Sequence, residues 1–347
     1  MDLVFQRPPS ITGKHVIKQN YRRRSMIARL IALALLCVSF AGSSPSYAAS
    51  AWPERPLTIV VPWPPGGVAD FVARVVGQKI AGPLGQSVVI ENRPGAGTNI
   101  GSAYVAHAKP DGYTLLLASS NNVVNKFLFR NMPYDPIKSF VPISLLVDVP
   151  NILVVNPTVP AKTIAELISY AKMHPNELTY ASAGNGSPAH LAAEKFKAMT
   201  GVKIRDITYK GASPAVTDLM GGFVSMMFTN VPASLGAIQS GRLRALGIGS
   251  TTRAAVLPNV PTIAEAGVPG YQASAWYGLM APAGTPVGVI ARLQQALAAV
   301  RTPAVQQVLH QRGTDPVVSV PEVLQKQLQT DLRTYGPLIK TIGITLQ

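Results

Sequence analysis

Along residues 52–347, apolar β-rich runs alternate with runs of helical period, and this alternation restricts the fold more than any single motif does. "PLTIVVPW" reads as a strand and "VADFVARVVGQKIA" as a helix. "QSVVIENR" is again a strand, "NIGSAYVAHA" a helix and "YTLLLASS" a strand. The same order returns later in "LTYASAG", "AHLAAEKFKAMTG", "IRDITYKG", "AVTDLMGG", "FVSMMFTN", "PASLGAIQSG" and "RLRALGIGS". A βαβα order calls for mainly parallel sheets flanked by helices, the α/β class. Strands buried on both faces run continuously apolar instead of alternating, which is the pattern seen.

Two extended stretches break the rhythm. "VPNILVVNP" (Val149 to Pro157) follows the strand-like "FVPISLLV" with little helix between them. "ASAWYGLMAPAG" (Ala273 to Gly284) comes after several βα units. Beyond it, "TPVGVIARLQQALAAV", "PAVQQVLHQRG" and "PEVLQKQLQTDLRTYGPLIKT" read as three helices with Pro at or near their starts. Three helices with little sheet are expected to pack back on the first part. The expected architecture is discontinuous: lobe 1 from 52–152 plus 276–347, lobe 2 from 153–275. A ligand cleft then lies between the lobes, with a hinge at the two crossings.

The N-terminus reads as an export signal. Lys14, Lys18, Arg22, Arg23 and Arg24 precede "MIARLIALALLCVSFA", and "GSSPSYAASA" follows. The apolar core from Leu30 to Ala41 has 12 residues, against about 20 for a spanning helix. Cleavage is expected after Ala48 or Ala51. "RRSMI" is compatible with twin-arginine or general export; a start at Met26 would leave the basic residues outside the segment, so a start upstream of it is expected. Leu36 before Cys37 is too large for a lipobox. Residues 1–51 carry seven Lys/Arg and one acid, so residues 52–347 hold 24 basic and 15 acidic residues, net +9. They contain no cysteine, so a fold of nearly 300 residues must be held by core burial alone. No Lys/Arg block is interleaved with aromatics, which argues against nucleic acid as a partner. The mild positive balance favours anions.

In α/β sheets, ligands sit beyond the C-terminal ends of strands, which makes the strand-to-helix junctions the candidate sites. The first is "PWPPGG". Pro64 and Pro65 stiffen it, while Gly66 and Gly67 let main-chain N–H groups approach a ligand closely. The following helix aims its free N–H groups, and a charge of about +0.5, at the same place. A carboxylate suits that environment. The turn is neither a Walker loop nor a dinucleotide fingerprint. Trp63, within the turn, reads as an apolar wall for the ligand or as core. Asp70 in the first turn favours the helix dipole or accepts a hydrogen bond from a ligand. Elsewhere Ser119 and Asn121 occupy "ASSNN", and Ser182, Gly184, Gly186 and Ser187 occupy "SAGNGS". Tyr209, Lys210 and Gly211 occupy "TYKG", and Thr229 and Asn230 occupy "FTNVP". Each residue alone is an ordinary cap or turn residue. Together they form five junctions rich in hydroxyls and amides and poor in acids.

Catalysis and metal binding find little support. His107, His174, His190 and His310 are scattered, with no Cys or paired carboxylates at ligand spacing. No cofactor is expected. Ser187 and His190 lie three apart at a helix start, a hydrolase alternative. However, the stretch lacks the G-x-S-x-G elbow and a local acid, and His190 reads as a structural histidine.

These stretches resemble the substrate-binding receptors of tripartite tricarboxylate transporters, the Bug family. The resemblance is carried by "WPERPLTIVVPWPPGGVADFVAR", "VVIENRPGAGTNIGSAYVAHAKPDGYTLLLAS", "YASAGNGSPAHLAAEKF", "ITYKGASPAVTDLMGG", "GRLRALGIGSTTR", "LPNVPTIAEAGVPGY" and "WYGLMAPAGTP", in order over the whole of 52–347. It implies a type II periplasmic binding fold that closes over a small carboxylate. It also implies a ligand carboxylate held largely by main-chain groups and bridging water at the first-lobe loop, here Trp63 to Gly67. The second lobe contributes through Ser182 to Ser187, Tyr209 to Gly211 and Thr229 to Asn230. Asp70 matches a position that can face a ligand amine. A monomeric receptor that meets membrane transporter subunits transiently is implied, with a signalling receptor as the alternative. Thr98, Ser139 and Ser225 depart from the family's habit of Gly, an acid and Asp. The first two are expected to lie away from binding, and Ser225 precedes the strand ending at Thr229 and Asn230.

Overall fold

β1 (Leu57–Val61, LTIVV) is buried at every position except Thr58, as a strand covered on both faces must be. The computed structural model describes residues 52–182, 186–209 and 212–344. The expected export signal therefore lies outside the described residues, as do Gly184, Lys210 and Gly211. No helix among the described residues is long and apolar enough to cross a membrane.

α1 (Val68–Leu84) buries Ala69, Val72, Ala73, Val76 and Ile80, one face of a helix of 3.6-residue period, and stops at Gly85 in the left-handed region. β2 (Val88–Asn92) and β3 (Thr114–Ala118) pair parallel to β1 on either side. α2 (Asn99–Ala106) and α3 (Asn121–Leu128) complete the first set of βα units.

β4 (Phe140–Val155) runs through 16 residues without interruption. "FVPISLLV" and "VPNILVVNP" are thus one strand and not two segments. After α4 (Ile164–Met173), β5 (Thr179–Ser182), α5 (Pro188–Thr200), β6 (Arg205–Thr208), α6 (Ala212–Gly221), β7 (Met226–Asn230), α7 (Val231–Gln239) and β8 (Arg244–Ile248), the chain returns as β9 (Ser274–Pro282). β9 lies antiparallel to β4 from Phe140↔Pro282 to Pro150↔Ser274. The order is β2-β1-β3-β9-β4-β7-β5-β6, with β8 and the short β10 (Asp315–Pro316) also on β4. β5 is parallel to β6 and β7, so both outer groups are parallel as expected. Pairings made by β4 and β9 with their neighbours are antiparallel. The physical reason is that a chain which leaves one group and later returns to it must traverse the junction in opposite directions.

Successive β4 residues face opposite sides and feed separate cores. Leu153 and Val155 join Tyr180, Phe196, Phe228 and Tyr271, while Ile152 and Val154 join Ala215, Leu219, Met227 and Val231. The first group's core holds Val60, Leu116, Val123, Phe140, Trp276 and Met280, together with Leu324 and Leu328 from the chain's end. α8 (Val287–Leu297) lies on α1, α10 (Pro321–Ile342) lies on β4 and α3, and α9 (Pro303–Gln311) lies against β10. α10 also reaches α5, where Ile339 meets Val124, Leu128 and Leu191.

Candidate ligand-binding site

The Trp63–Gly67 turn is fixed from behind and open in front. Behind it, Asn92 at the end of β2 donates from Nδ2 to the Trp63 carbonyl (3.0 Å). Gly101 in α2 packs so closely that a Cβ there would come within 2.8 Å of both Pro62 Cβ and the Arg93 carbonyl. Gly66 has φ +88°, a conformation that favours glycine. Its N–H donates to Asp70 Oδ2 (3.1 Å). In front, Pro64 to Gly67 are exposed, and a Cβ at Gly66 or Gly67 would meet nothing within 4 Å. α1 has no side-chain cap at Gly67, so its leading N–H groups point outward without an intrahelical partner.

Two of the expected roles shift here. Gly66 does not offer its N–H outward, because Asp70 takes it. Asp70 is buried and faces inward: Arg74, one helical turn on, donates through Nε and Nη2 to its two oxygens (2.9 and 3.0 Å). The Arg74 hydrogen bond outweighs the desolvation of Asp70 and holds its carboxyl below the usual carboxylate range. The acid is therefore a clasp for the turn, with its charge matched by Arg74. Asp70→Arg74 is an i,i+4 pair that the sequence displays; the Gly66 bond depends on a backbone angle that it does not.

Trp63 stands edge-on to Tyr277 of β9, with ring centroids 5.5 Å apart. Burial pushes the Tyr277 phenol up to about 12, so it is neutral at ordinary pH. Sequence reasoning missed Tyr277, because only the pairing of β9 beside β3 brings "WYGLM" to the first turn. Tyr277 opposes Val147 of β4, and Asn151 of β4 opposes Asn230 of β7. Val147 and Asn151 are four residues apart, hence on the same face and roughly 14 Å apart along the strand. That face carries the aromatic pair at one end and the Asn151–Asn230 pair at the other. Val147, Val149 and Asn151 on it are all buried.

The remaining candidates divide by what their side chains already hold. Ser119 is buried and turns the chain into α3: its Oγ accepts from the Asn121 N–H (3.2 Å), and its own N–H donates to Asn122 Oδ1 (2.9 Å). Ser187 and Asn230 are N-caps, accepting from the N–H groups of His190 (3.2 Å) and Ala233 (3.1 Å). Tyr209 donates from its hydroxyl to Asp218 of α6 (2.8 Å). Thr229 is buried one residue before the Asn230 cap. Ser182 differs from these: it is fully buried at the end of β5, and its hydroxyl has no hydrogen-bond partner. Ser225 lies at the far end of β7 from Asn230, where its Oγ accepts from the Thr179 N–H (3.1 Å).

The Ser187–His190 pair is not arranged as a nucleophile and base. Ser187 Oγ receives the main-chain N–H of His190, whereas the His190 ring takes the Gly186 N–H on Nδ1 (3.2 Å). Among the described residues, no group of three or more His, Cys, Asp or Glu is placed to hold a metal ion. A recess of about 670 Å³ lies along α2, lined by Arg55, Arg93, Tyr104 and Lys109 among others. Its guanidinium groups are engaged on Asp111 and Glu91 (3.2 and 2.6 Å), and none of the expected junctions lines it.

Residues 72–344 match the tripartite tricarboxylate transporter family receptor model. Protein BugT of Bordetella pertussis (strain Tohama I) is 38% identical over 324 residues, covering 92% of this chain and 99% of that one. The adipate-bound Rpa4515 of R. palustris superposes with a TM-score of 0.75 at 38% identity, covering 85% of this chain and 99% of that one. MatC (Rpa3494) from Rhodopseudomonas palustris, with bound malate, gives 0.71 at 34% identity, covering 83% and 100%. The mixed sheet with its flanking helices is thus the two-lobed fold of periplasmic binding proteins. Matched over most of its length by the receptor model and by relatives spanned almost end to end, the chain belongs to the tripartite tricarboxylate transporter family of receptors.

Proposed function

We propose that this chain is an exported receptor that captures a small carboxylate at the uncapped N-terminus of α1 and closes a second lobe over it. In this reading, lobe 1 comprises 52–152 and 276–347, lobe 2 comprises 153–275, and β4 and β9 form the hinge. The observation that carries the proposal is the turn at Gly66–Gly67, rigidly backed by Asn92 and Asp70 yet open in front of the helix N-terminus. Main-chain N–H groups at such a place favour an anion. Adipate in one relative and malate in another point to a short dicarboxylate or a similar acid. From the second lobe, Ser182, Ser187, Thr229 and Asn230 supply hydroxyls and amides; Gly184, Lys210 and Gly211, outside the described residues, belong to the same sequence junctions. The bound form is delivered to membrane transporter subunits by a monomeric receptor, without catalysis or cofactor. Residues 1–51 act as the cleaved export signal.

A thermal-shift screen of residues 52–347 against adipate, malate, amino acids and aromatic acids tests this reading. A ligand at 100 times its Kd adds about 2.7 kcal/mol to stability, which raises Tm visibly. Gly67→Val meets open space and an extended backbone at φ −84°, ψ 179°. The variant is therefore expected to keep its unliganded Tm and to lose the ligand-induced rise. No response to any acid, or an undiminished response in Gly67→Val, counts against the proposal.

A further inference from the structure

His190 lies buried at the start of α5, three residues beyond the Ser187 cap. Its Nδ1 accepts the Gly186 N–H at 3.2 Å, so the neutral ring carries its proton on Nε2. Gly186 has φ +74°, and a Cβ there would overlap Leu128 Cδ1. Leu128 belongs to α3 of the first group, and with Val124, Leu191 and Ile339 it forms the apolar cluster that joins α3, α5 and α10. The hydrogen bond therefore holds Gly186 at a place where the two groups of strands and helices touch.

We propose that His190 is a proton-sensitive positioning residue, whose neutral ring fixes the Gly186 backbone against Leu128 and so sets how the second lobe closes on the first. This rests on the receptor reading above. Protonation turns Nδ1 from acceptor to donor, and Gly186 N–H then faces a second donor. The charged ring has somewhere to go. Asp206 of β6 lies 3.9 Å from Nε2, and its Oδ1 is buried without a partner while Oδ2 accepts from Thr208 (2.9 Å).

The other groups facing the ring are known. Tyr180 of β5 stacks on it, and Glu194 and Lys197 follow on α5 itself and pair with each other (2.6 Å). Tyr180 donates to Glu194 as well, and Leu128 of α3 is apolar. Burial lowers the pKa of His190, against the opposing pull of Asp206 and Glu194. The ring is therefore neutral at neutral pH and charges only in acid. Acid loosens the Gly186–Leu128 contact and favours ligand release.

The test uses two variants in residues 52–347. His190→Phe keeps a ring on Tyr180 and removes the acceptor, and His190→Asn keeps an amide oxygen near the Nδ1 position. Binding is titrated between pH 5 and 8 with whichever of adipate or malate gives the larger thermal shift. The ring's ¹⁵N signals and the Gly186 amide are followed by NMR in unliganded protein. The expected result is Nε2–H imidazole at neutral pH and a Gly186 amide whose shift follows His190 titration. His190→Phe should bind about tenfold more weakly, as for one buried N–H left unpaired, with a pH profile flatter than wild type. His190→Asn should recover most of the affinity at pH 7.5. A ring protonated on Nδ1 overturns the proposal, and so does a folded His190→Phe that binds like wild type at every pH. If no acid of the thermal-shift screen binds wild type but the Gly186 amide follows His190, the receptor reading fails and the positioning role stands. A Gly186 amide indifferent to His190 sinks the positioning role whatever binds.

Discussion

At Thr98 the chain accepts a local cost. Gly95, Ala96, Gly97 and Thr98 all have positive φ, at 129°, 46°, 61° and 88°. Two of these four are not glycine, and Thr is β-branched, so the run is strained. A buried amide network holds it. Asn125 Nδ2 donates to the Gly97 carbonyl (2.7 Å) and Asn99 Oδ1 (2.8 Å), and Tyr134 donates to the same Asn99 oxygen (3.0 Å). Thr98→Gly removes the Cβ penalty at the cost of a long contact from Asn125 to Thr98 Oγ1 (3.4 Å) and of a small buried side chain. It should therefore raise stability by about 1 kcal/mol in urea unfolding; an unchanged or lower midpoint would refute the strain. From the sequence, Thr98 could be read only as a departure from a family habit. The carbonyl beside it is held by Asn125, which lies far off in the chain, and the sequence does not display that pairing. Caps were easier: Ser187 and Asn230 stand at helix starts in the sequence and cap helices in the fold.

At the scale of elements, strands and helices were legible because their periods are local. "LTIVV" and "TLLLA" are apolar at every position but one threonine each, as suits strands inside a two-sided sheet, and they are β1 and β3. The length of β4 was less legible. Pro142 and Pro150 interrupt its pattern, and the pairing with β9 shifts register between Pro142 and Ser144 and again between Leu145 and Val147. A strand with such irregularities reads in one dimension as two pieces. The antiparallel sense of β4 and β9 was implicit in a chain that leaves and returns, although the βα rhythm on either side suggested only parallel pairing. Tyr277, Asn92 and Asn151 were beyond reach, because only strand neighbours far apart in sequence bring them to the site.

For the whole molecule, the crossing strands have two faces with different tasks. One carries Trp63, Tyr277, Asn151 and Asn230. On the other, Asp148 stands opposite Trp276 and Asp315, and Asp331 of α10 accepts from Trp276 Nε1 (2.8 Å) and Gln327 (2.9 Å). Burial pushes both Asp148 and Asp331 up to about 6, only partly opposed by Ser274 at Asp148 and by Trp276, Gln327 and Lys195 at Asp331. A carboxylate raised from about 3.9 in the unfolded chain binds protons more tightly when folded. Its contribution is therefore complete below about pH 4 and is lost as pH rises through about 6. Unfolding free energy should fall across that window. Asp331→Asn, which retains an oxygen for Trp276, should flatten the fall and be more stable at pH 7.5 by on the order of 2 kcal/mol. Urea midpoints at pH 4 and 7.5 check this, and a variant less stable than wild type at pH 7.5 would contradict it.

The most direct test of the central claim is a crystal structure of residues 52–347 with the acid that gives the largest thermal shift. One carboxylate should lie at the start of α1, its oxygens about 2.7–3.2 Å from main-chain nitrogens at Gly67 and Val68, with Asn230 and Ser187 facing it from the second lobe. A carboxylate bound elsewhere, with the Gly66–Gly67 turn touching only solvent, would contradict the account.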